Sequence, residues 1–377
     1  MARKLKSDKV LFIATLLLVC TSVVMVWSAS AVVTMERNND PYLLLVKQSL
    51  WVLLGLCLVP VVMRIDYRTY RQPVVIWTGL VLVTAALVAV LFAAPRNGAT
   101  RWLIVGPLGI QPSEFAKIVV VMFVAALLER RMERIDELSY ALLPIAIVLG
   151  GIVGLIVIQP DVGTAAAILM IGAVMIFAAG VNYRYVLGLS LAALPALYVL
   201  LMSSDYRRRR VTAFLDPWAD PLGDGFQMIQ SMIAVSTGGF FGRGLMAGVQ
   251  KLFYLPEPHN DFIYSVISEE LGLIGATVVL ACFCVITWRG LRTALRAPDR
   301  FGAFLAIGLT TMIAFQAYFN VSVVLGLLPT KGIPLPFVSY GGSSLLINLA
   351  GMGILLNVSQ HASSSHVVTT TLPVPDA

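Results

Sequence analysis

Ten long apolar stretches divide this chain, at about 10–33, 42–63, 74–94, 112–128, 141–158, 162–180, 185–203, 263–286, 302–325 and 341–357. Most approach the roughly twenty residues that a helix, rising ~1.5 Å per residue, needs to cross a ~30 Å hydrocarbon core. The runs are too long for strands, and no polar/apolar alternation repeats along them. Of the 377 residues, 58% are hydrophobic and only 12% charged, against roughly 25% charged in a soluble domain. A water-soluble fold of this length cannot hide so much apolar side chain. A cytosolic enzyme, a disordered protein and a secreted disulfide scaffold are therefore excluded. The expectation is an all-α polytopic membrane protein of about ten transmembrane helices, with one long extracytoplasmic loop over 204–262.

Residues 1–358 read as a single transmembrane domain, and the Ser/Thr/Pro-rich segment 359–377 as a disordered cytoplasmic tail. With the N-terminus inside, fifteen Lys and Arg fall in cytoplasmic segments and four (Arg37, Arg96, Arg101, Lys331) in short outer loops. That is a positive-inside bias, and it places both termini in the cytoplasm. The long loop carries Arg207 to Arg210, Arg243 and Lys251, but long loops translocate largely regardless of charge. The first apolar run, though followed by Ser28-Ala29-Ser30-Ala31, is too long for a signal-peptide core and reads as an uncleaved anchor. Cys20, Cys57, Cys282 and Cys284 all sit in apolar runs, where packing or lipid contact is the expected role. No nucleotide-binding signature is present, which argues against an ATP-driven pump in this chain. No nucleic-acid partner is expected.

Charge inside a bilayer is costly, so its placement is informative. Lys47, Glu114, Lys117, Asp161, Asp261, Glu269 and Glu270 all fall in the outer half of the membrane or at its mouth, which makes the outer face the working surface. Glu114 and Lys117, three apart, share a helix face. They read either as a self-neutralising pair or as holders of an anionic ligand. Lys47, without a local partner, either faces a cavity or snorkels. Arg101 is either a headgroup anchor or a bidentate phosphate clamp. In the loop 328–344, Lys331 and the hydroxyls of Ser339, Ser343 and Ser344 either surround an anionic headgroup or belong to a structural plug. Asp261 reads as a helix N-cap, as a general base at the outer leaflet, or as both. A lone His259 is weak evidence for zinc.

Six stretches, taken in order, resemble one known family. They are Asn97–Trp102, Gln111–Lys117, Gln159–Thr164, Leu255–Ile263, Glu269–Gly272 and Pro334–Ser344. Together they cover nearly the whole membrane region and look like the SEDS proteins (shape, elongation, division and sporulation). Asp216–Asp220 and Gln250-Lys251 ahead of Tyr254–Glu257 look more like the division branch than the elongation branch. Where the family often has Thr before the motif aspartate this chain has Asn260, and Phe253 stands where some members carry an acid. The four-arginine run has no family role that we can attach.

The resemblance implies a peptidoglycan glycosyltransferase in the cytoplasmic membrane at the division septum, polymerising lipid II on its outer face. Its implied partners are lipid II, the growing glycan strand, a class B penicillin-binding protein and other divisome membrane proteins. In that setting Asp261 is the expected general base. Arg101, Lys117, Lys47 and Lys331 are expected to meet the pyrophosphate, with Glu114 orienting Lys117 and Ser343 contacting substrate. A divalent cation, Mg or Mn, would help the pyrophosphate, but no committed ligand set is visible. A lipid II flippase is the competing reading. It predicts polar residues lining both membrane halves, whereas these gather on one side. An inactive scaffold for a penicillin-binding protein is a third.

Overall fold

The computed structural model describes residues 7–93, 100–105, 108–135, 137–182 and 205–362, with scattered positions between 183 and 204. Its main helices are α1 (Lys9–Asn38), α2 (Leu43–Arg64), α3 (Pro73–Leu91), α4 (Pro112–Arg131), α5 (Leu143–Ile158), α6 (Val162–Ala178), α7 (Asp205–Leu215), α8 (Phe226–Thr237), α9 (Ile263–Leu295), α10 (Arg300–Val324) and α11 (Gly342–Ala362). The chain is an all-α, multi-pass membrane protein.

By length and composition, α1, α2, α3, α9, α10 and α11 can each cross a membrane. Helices α4, α5 and α6 coincide with three further expected spans. Of these, α4 carries more charge, and α5 and α6 are shorter. The expected span 185–203 lies largely outside the described residues, as do 94–99 and 363–377. Helix α11 continues to Ala362, a few residues past the point where the tail was expected to begin.

The bundle packs α11 on α2, α9 on α10 and α1, and α10 on α6 and α4. Thus α10 and α11 are enclosed by neighbours and bury side chains on most of their faces. Short aspartates start several helices. Asp8 accepts Val10 N–H and Leu11 N–H at 3.1 and 3.2 Å, Asp161 accepts Thr164 N–H at 3.3 Å, and Asp299 accepts Gly302 N–H at 2.8 Å. Each satisfies helix-end donors that would otherwise lack a partner. All four cysteines are free, and Cys20, Cys57 and Cys284 are exposed on the bundle.

Two features depart from the sequence reading. A short antiparallel hairpin pairs β1 (Leu103–Val105) with β2 (Leu108–Ile110), Leu103 opposite Ile110. Three-residue strands leave no periodicity to detect. The second lies in the glycine-rich part of the long loop: Gly238-Gly239 and Gly242-Arg243-Gly244 read from sequence as a close approach to the membrane or a ligand, whereas this segment packs against the protein itself, at a break in α9.

Helix α9 is 33 residues long, about 50 Å, and it breaks at Gly272 (φ 66°, ψ −165°). Segment 239–244 fills the break. Arg243 N–H and Gly244 N–H donate to the Glu269 and Glu270 carbonyls, both at 3.0 Å. Leu273 N–H and Ile274 N–H donate to the Gly239 and Phe240 carbonyls at 2.8 and 3.3 Å. Irregular backbone at membrane depth is tolerated when its polar groups are satisfied by protein in this way. A Cβ on Gly272 would lie 2.2 Å from Gly242 N, so only glycine permits the approach.

The side chains at the break complete the attachment. Glu269 accepts Val249 N–H at 2.8 Å, and Glu270 accepts Met246 N–H at 3.0 Å. Buried Lys251 donates to Glu270 at 2.6 Å and to Ser28 of α1 at 2.9 Å. Ser28 also donates to Glu270 at 2.7 Å. The loop that leads to Asp261 is thereby fastened to two helices.

Candidate active site

Helix α9 begins at Ile263 with Phe262 in the cap position, and no side chain caps it. The N-cap reading of Asp261 is therefore corrected: its carboxylate takes no part in helix capping and remains available to the surface it faces. Asp261 is half-buried.

Its backbone is fixed from two directions. Asn320, buried in α10, donates one amide hydrogen to the Asp261 carbonyl at 2.7 Å and the other to the Ile333 carbonyl at 2.8 Å. Ser339 donates to the Asn260 carbonyl at 2.6 Å while accepting Leu335 N–H at 2.8 Å. Tyr340 N–H donates to the His259 carbonyl at 2.9 Å. Segments 255–262 and 328–341, some seventy residues apart in sequence, thus form one rigid rim. Gly332 lies directly against the carboxylate, and a Cβ there would come 2.6 Å from Asp261 Oδ2.

Cations converge on this rim from three separate elements. Arg101, just ahead of β1, is held by the Gln159 carbonyl (Nε, 3.2 Å) and by the Pro160 carbonyl at the corner between α5 and α6. Arg210 of α7 donates to the Thr330 carbonyl at 2.8 Å, next to Lys331. In the arginine run, Arg207 and Arg210 are half-buried on one face, while Arg208 and Arg209 are exposed. Three-residue spacing puts Arg207 and Arg210 on the same side of the helix. Asp161 is buried and accepts from Gln111 at 2.9 Å and Ser113 at 3.2 Å.

The electrostatics follow from this enclosure. Burial pushes the Asp261 carboxyl up to about 6, aided by Glu257 and opposed by Arg210 and Arg101; Asp161 adds a smaller upward push. The shift from 3.8 corresponds to about 3 kcal/mol in favour of the neutral form. Burial also lowers Lys331 to about 8, with Arg210 repelling its charge and Asp161 supporting it. His259 is lowered by burial, with Glu257 opposing and Arg37 assisting, so its imidazole is neutral at pH 7.

Of the residues singled out from sequence, the structure brings Asp261, Arg101 and Lys331 together. Lys117 and Glu114 lie elsewhere, 2% and 3% exposed and paired at 2.8 Å. Lys117 also donates to Gln316 of α10 at 2.8 Å. Gln316 stands one helical turn from Asn320, so this neutralised pair supports the helix face beneath the rim. Lys47 lies on the exposed side of α2, whereas its neighbour Gln48 is buried and donates to Ser22 at 2.7 Å. Ser343 is buried at the start of α11, and its hydroxyl has no hydrogen-bond partner among the described residues.

Sequence reasoning missed Arg210. Its signal was present in the i, i+3 pairing with Arg207, but nothing local showed which face of the run turns inward. Among the described residues, no group of three His, Cys, Asp or Glu side chains comes together as a metal site.

A carboxylate that titrates near neutrality, ringed by cations at one end of an apolar helical bundle, defines a membrane-embedded site that can take a proton beside an anionic group. Comparison with known proteins gives the class. Residues 8–364 match the family model described as cell cycle protein, which takes in FtsW, RodA and SpoVE. A probable peptidoglycan glycosyltransferase FtsW from Geobacter sp. (strain M18) is 43% identical over 355 residues, covering 93% of this chain and 96% of its own. Stage V sporulation protein E of Bacillus subtilis (strain 168) is 42% identical over 365 residues, covering 96% and 99%. Among solved structures, a chain of a peptidoglycan synthase complex that coordinates polymerization and crosslinking superposes with a TM-score of 0.79 at 32% identity, covering 94% of this chain and 98% of that one. The rod shape determining protein RodA of Thermus thermophilus gives 0.70 at 28% identity, covering 94% and 96%. The chain belongs to this family, the SEDS proteins, and is FtsW-like.

Proposed function

We infer that this chain is a peptidoglycan glycosyltransferase that polymerises lipid II at the outer face of the cytoplasmic membrane during cell division, with Asp261 as general base. The observation that carries the reading is the pairing of an uncapped, near-neutral Asp261 carboxyl with Arg101, Arg210 and Lys331 on one rim. Family membership supports it, since similar proteins from Geobacter carry the name probable peptidoglycan glycosyltransferase FtsW.

Lipid II is a disaccharide pentapeptide on a polyprenyl pyrophosphate, and its reaction asks for both halves of this site. The acceptor sugar hydroxyl attacks the anomeric carbon of the donor chain. As the new C–O bond forms, Asp261 takes the hydroxyl proton. The bond between the anomeric carbon and the pyrophosphate oxygen breaks on the opposite side. The polyprenyl pyrophosphate leaves with the electron pair, and the anomeric centre inverts. Pyrophosphate needs positive charge rather than a proton, and Arg101, Arg210 and Lys331 supply it. Lys117, neutralised by Glu114 and hydrogen-bonded to Gln316, holds the helix face that positions Asn320. Ser343, two residues past Gly341 of the rim, would reach substrate only once its buried hydroxyl is uncovered. Lys47, on the outer face of α2, would meet headgroups at the membrane surface. Three cations and two further acids, Glu257 and Asp161, act around Asp261, and a divalent Mg or Mn would be carried there by the substrate pyrophosphate rather than by a protein ligand set, since no such set comes together among the described residues.

A class B penicillin-binding protein is the expected partner, consistent with the synthase complex to which this chain is similar. The excess of Lys and Arg at the end of the bundle opposite Asp261 supports cytoplasmic termini. The decisive experiment uses the purified chain with such a partner and lipid II. Asp261→Asn should preserve folding and abolish polymer. Because ionised Asp261 is disfavoured in the folded state, the variant should also unfold no more easily than wild type at pH 7. Polymer at the wild-type rate would refute the assignment of the base.

A further inference from the structure

A second charged site lies at the far end of α9. The helix runs from beside Asp261 to Leu295, and its last two turns line a cavity of about 250 Å³ with the start of α1 and the end of α11. Arg289 and Arg292 line it from α9 with Arg296 at its C-cap, Lys9 from α1 with Asp8 at its N-cap, and Ser359 from α11. Asp8 is already engaged: it caps α1 and binds the Arg289 guanidinium at 2.6 and 2.7 Å. Among the described residues, four cations against one anion leave a formal charge of +3.

The helix dipole alone would favour arginines at the end of α9, but it disfavours Lys9 at the start of α1, where the dipole is positive. Lys9 and the positive end of α1 therefore raise the potential in a cavity that three arginines already make strongly positive. The positive-inside bias accounts for basic residues on this side and Asp8 offsets Arg289, but gathering the remaining three cations in one cavity makes a site that suits an anion.

The surface beside the cavity indicates which anion. Arg289, Arg292 and Arg296 form one stripe on α9 at i, i+3 and i+7. Trp288, Leu291 and Leu295 form the adjacent stripe and are 61%, 44% and 89% exposed. The Arg289 and Arg292 guanidiniums lie 5.8 and 5.9 Å from the Trp288 ring. Exposed tryptophan marks the level of lipid headgroups, and basic clefts between membrane helices at that level bind anionic lipid heads. A free phosphate would use only the basic stripe. A phospholipid uses both, its phosphate in the cavity and its acyl chain along Trp288, Leu291 and Leu295.

We propose that this cleft is a binding site for an anionic phospholipid headgroup, formed jointly by α1, α9 and α11. It is independent of the glycosyltransferase reading, because its test reads lipid binding and not polymer. The full chain is placed in nanodiscs of mixed phosphatidylglycerol and phosphatidylcholine, and the retained lipid is identified by native mass spectrometry. Wild type should retain phosphatidylglycerol preferentially. Arg292→Gln with Arg296→Gln should weaken retention about thirtyfold, and Lys9→Gln, on an exposed side chain, about fivefold. Arg130→Gln with Arg300→Gln removes the same charge from exposed positions outside the cavity and should match wild type. Absence of a lipid preference, unchanged retention in both cleft variants, or an equal loss in the control pair would overturn the proposal. Displacement of the lipid by excess inorganic phosphate would overturn it in favour of a free-phosphate site.

Discussion

The rate of polymerisation should follow a bell-shaped pH profile set by the two shifted groups on the rim. Asp261 must be ionised to accept the sugar proton, and it titrates at about 6. Lys331 must be protonated to meet the pyrophosphate, and it titrates at about 8. Between pH 7 and pH 5 the ionised fraction of Asp261 falls about tenfold, and between pH 7 and pH 9 the charged fraction of Lys331 falls about tenfold. A carboxyl at its ordinary value of 3.8 would lose less than about a tenth of its base form over the same acid range. The assay is the initial rate of glycan formation from lipid II by the chain with its partner, at saturating substrate, from pH 5 to pH 9. Lys331→Arg separates the limbs, because guanidinium stays charged: the alkaline limb should disappear and the acid limb remain. A rate independent of pH between 5 and 7, or an alkaline limb unchanged in Lys331→Arg, would refute the reasoning. The stability consequence has the opposite sign to the activity. Because the folded carboxyl binds its proton more tightly than the unfolded one, the contribution of this one group to stability is fully present below about pH 4 and about 3 kcal/mol of it is lost as pH rises past 6.

Three further outcomes follow from the geometry. Arg210→Gln and Arg101→Ala each remove a charge that holds Asp261 down, so each should move the acid limb upward and slow turnover about a hundredfold; unchanged kinetics across lipid II concentrations would reduce both residues to structural anchors. Gly332→Ala must displace the rim or the carboxylate, since its Cβ would stand 2.6 Å from Oδ2, and a shift approaching 1 Å should lower kcat about a hundredfold with little change in thermal unfolding. Lys251→Met leaves Glu270 buried with only Ser28 and Met246 N–H as partners, and should lower stability by about 3 kcal/mol, read as unfolding in detergent; a variant as stable as wild type would show that the pair contributes nothing.

The glycine-rich loop shows how far local sequence reaches. Gly238-Gly239 and Gly242–Gly244 announce close backbone approach, but they do not say to what. The partner is Gly272 and the break in α9, about thirty residues on, and the carboxylates of Glu269 and Glu270 serve that attachment. The pair Glu114 and Lys117 shows the same limit. Its spacing predicts an ion pair, yet the deciding contact is Gln316, 199 residues away. Asp261 was legible as a polar residue at a helix entry. Whether the residue capped the helix turned on a one-residue difference in where α9 begins.

The apolar runs and the one-sided gathering of intramembrane charge fixed the class of protein, because the cost of placing backbone and charge in hydrocarbon acts on each segment separately. Composition and spacing were therefore enough to recognise spans, an outward working face and a carboxylate worth testing. Which cations reach that carboxylate was decided by packing alone. Arg101 and Lys331 come from two loops and Arg210 from α7, and their mutual placement depends on helices far apart in sequence. A charge acts over a few ångströms of space, and distance along the chain carries no record of that separation.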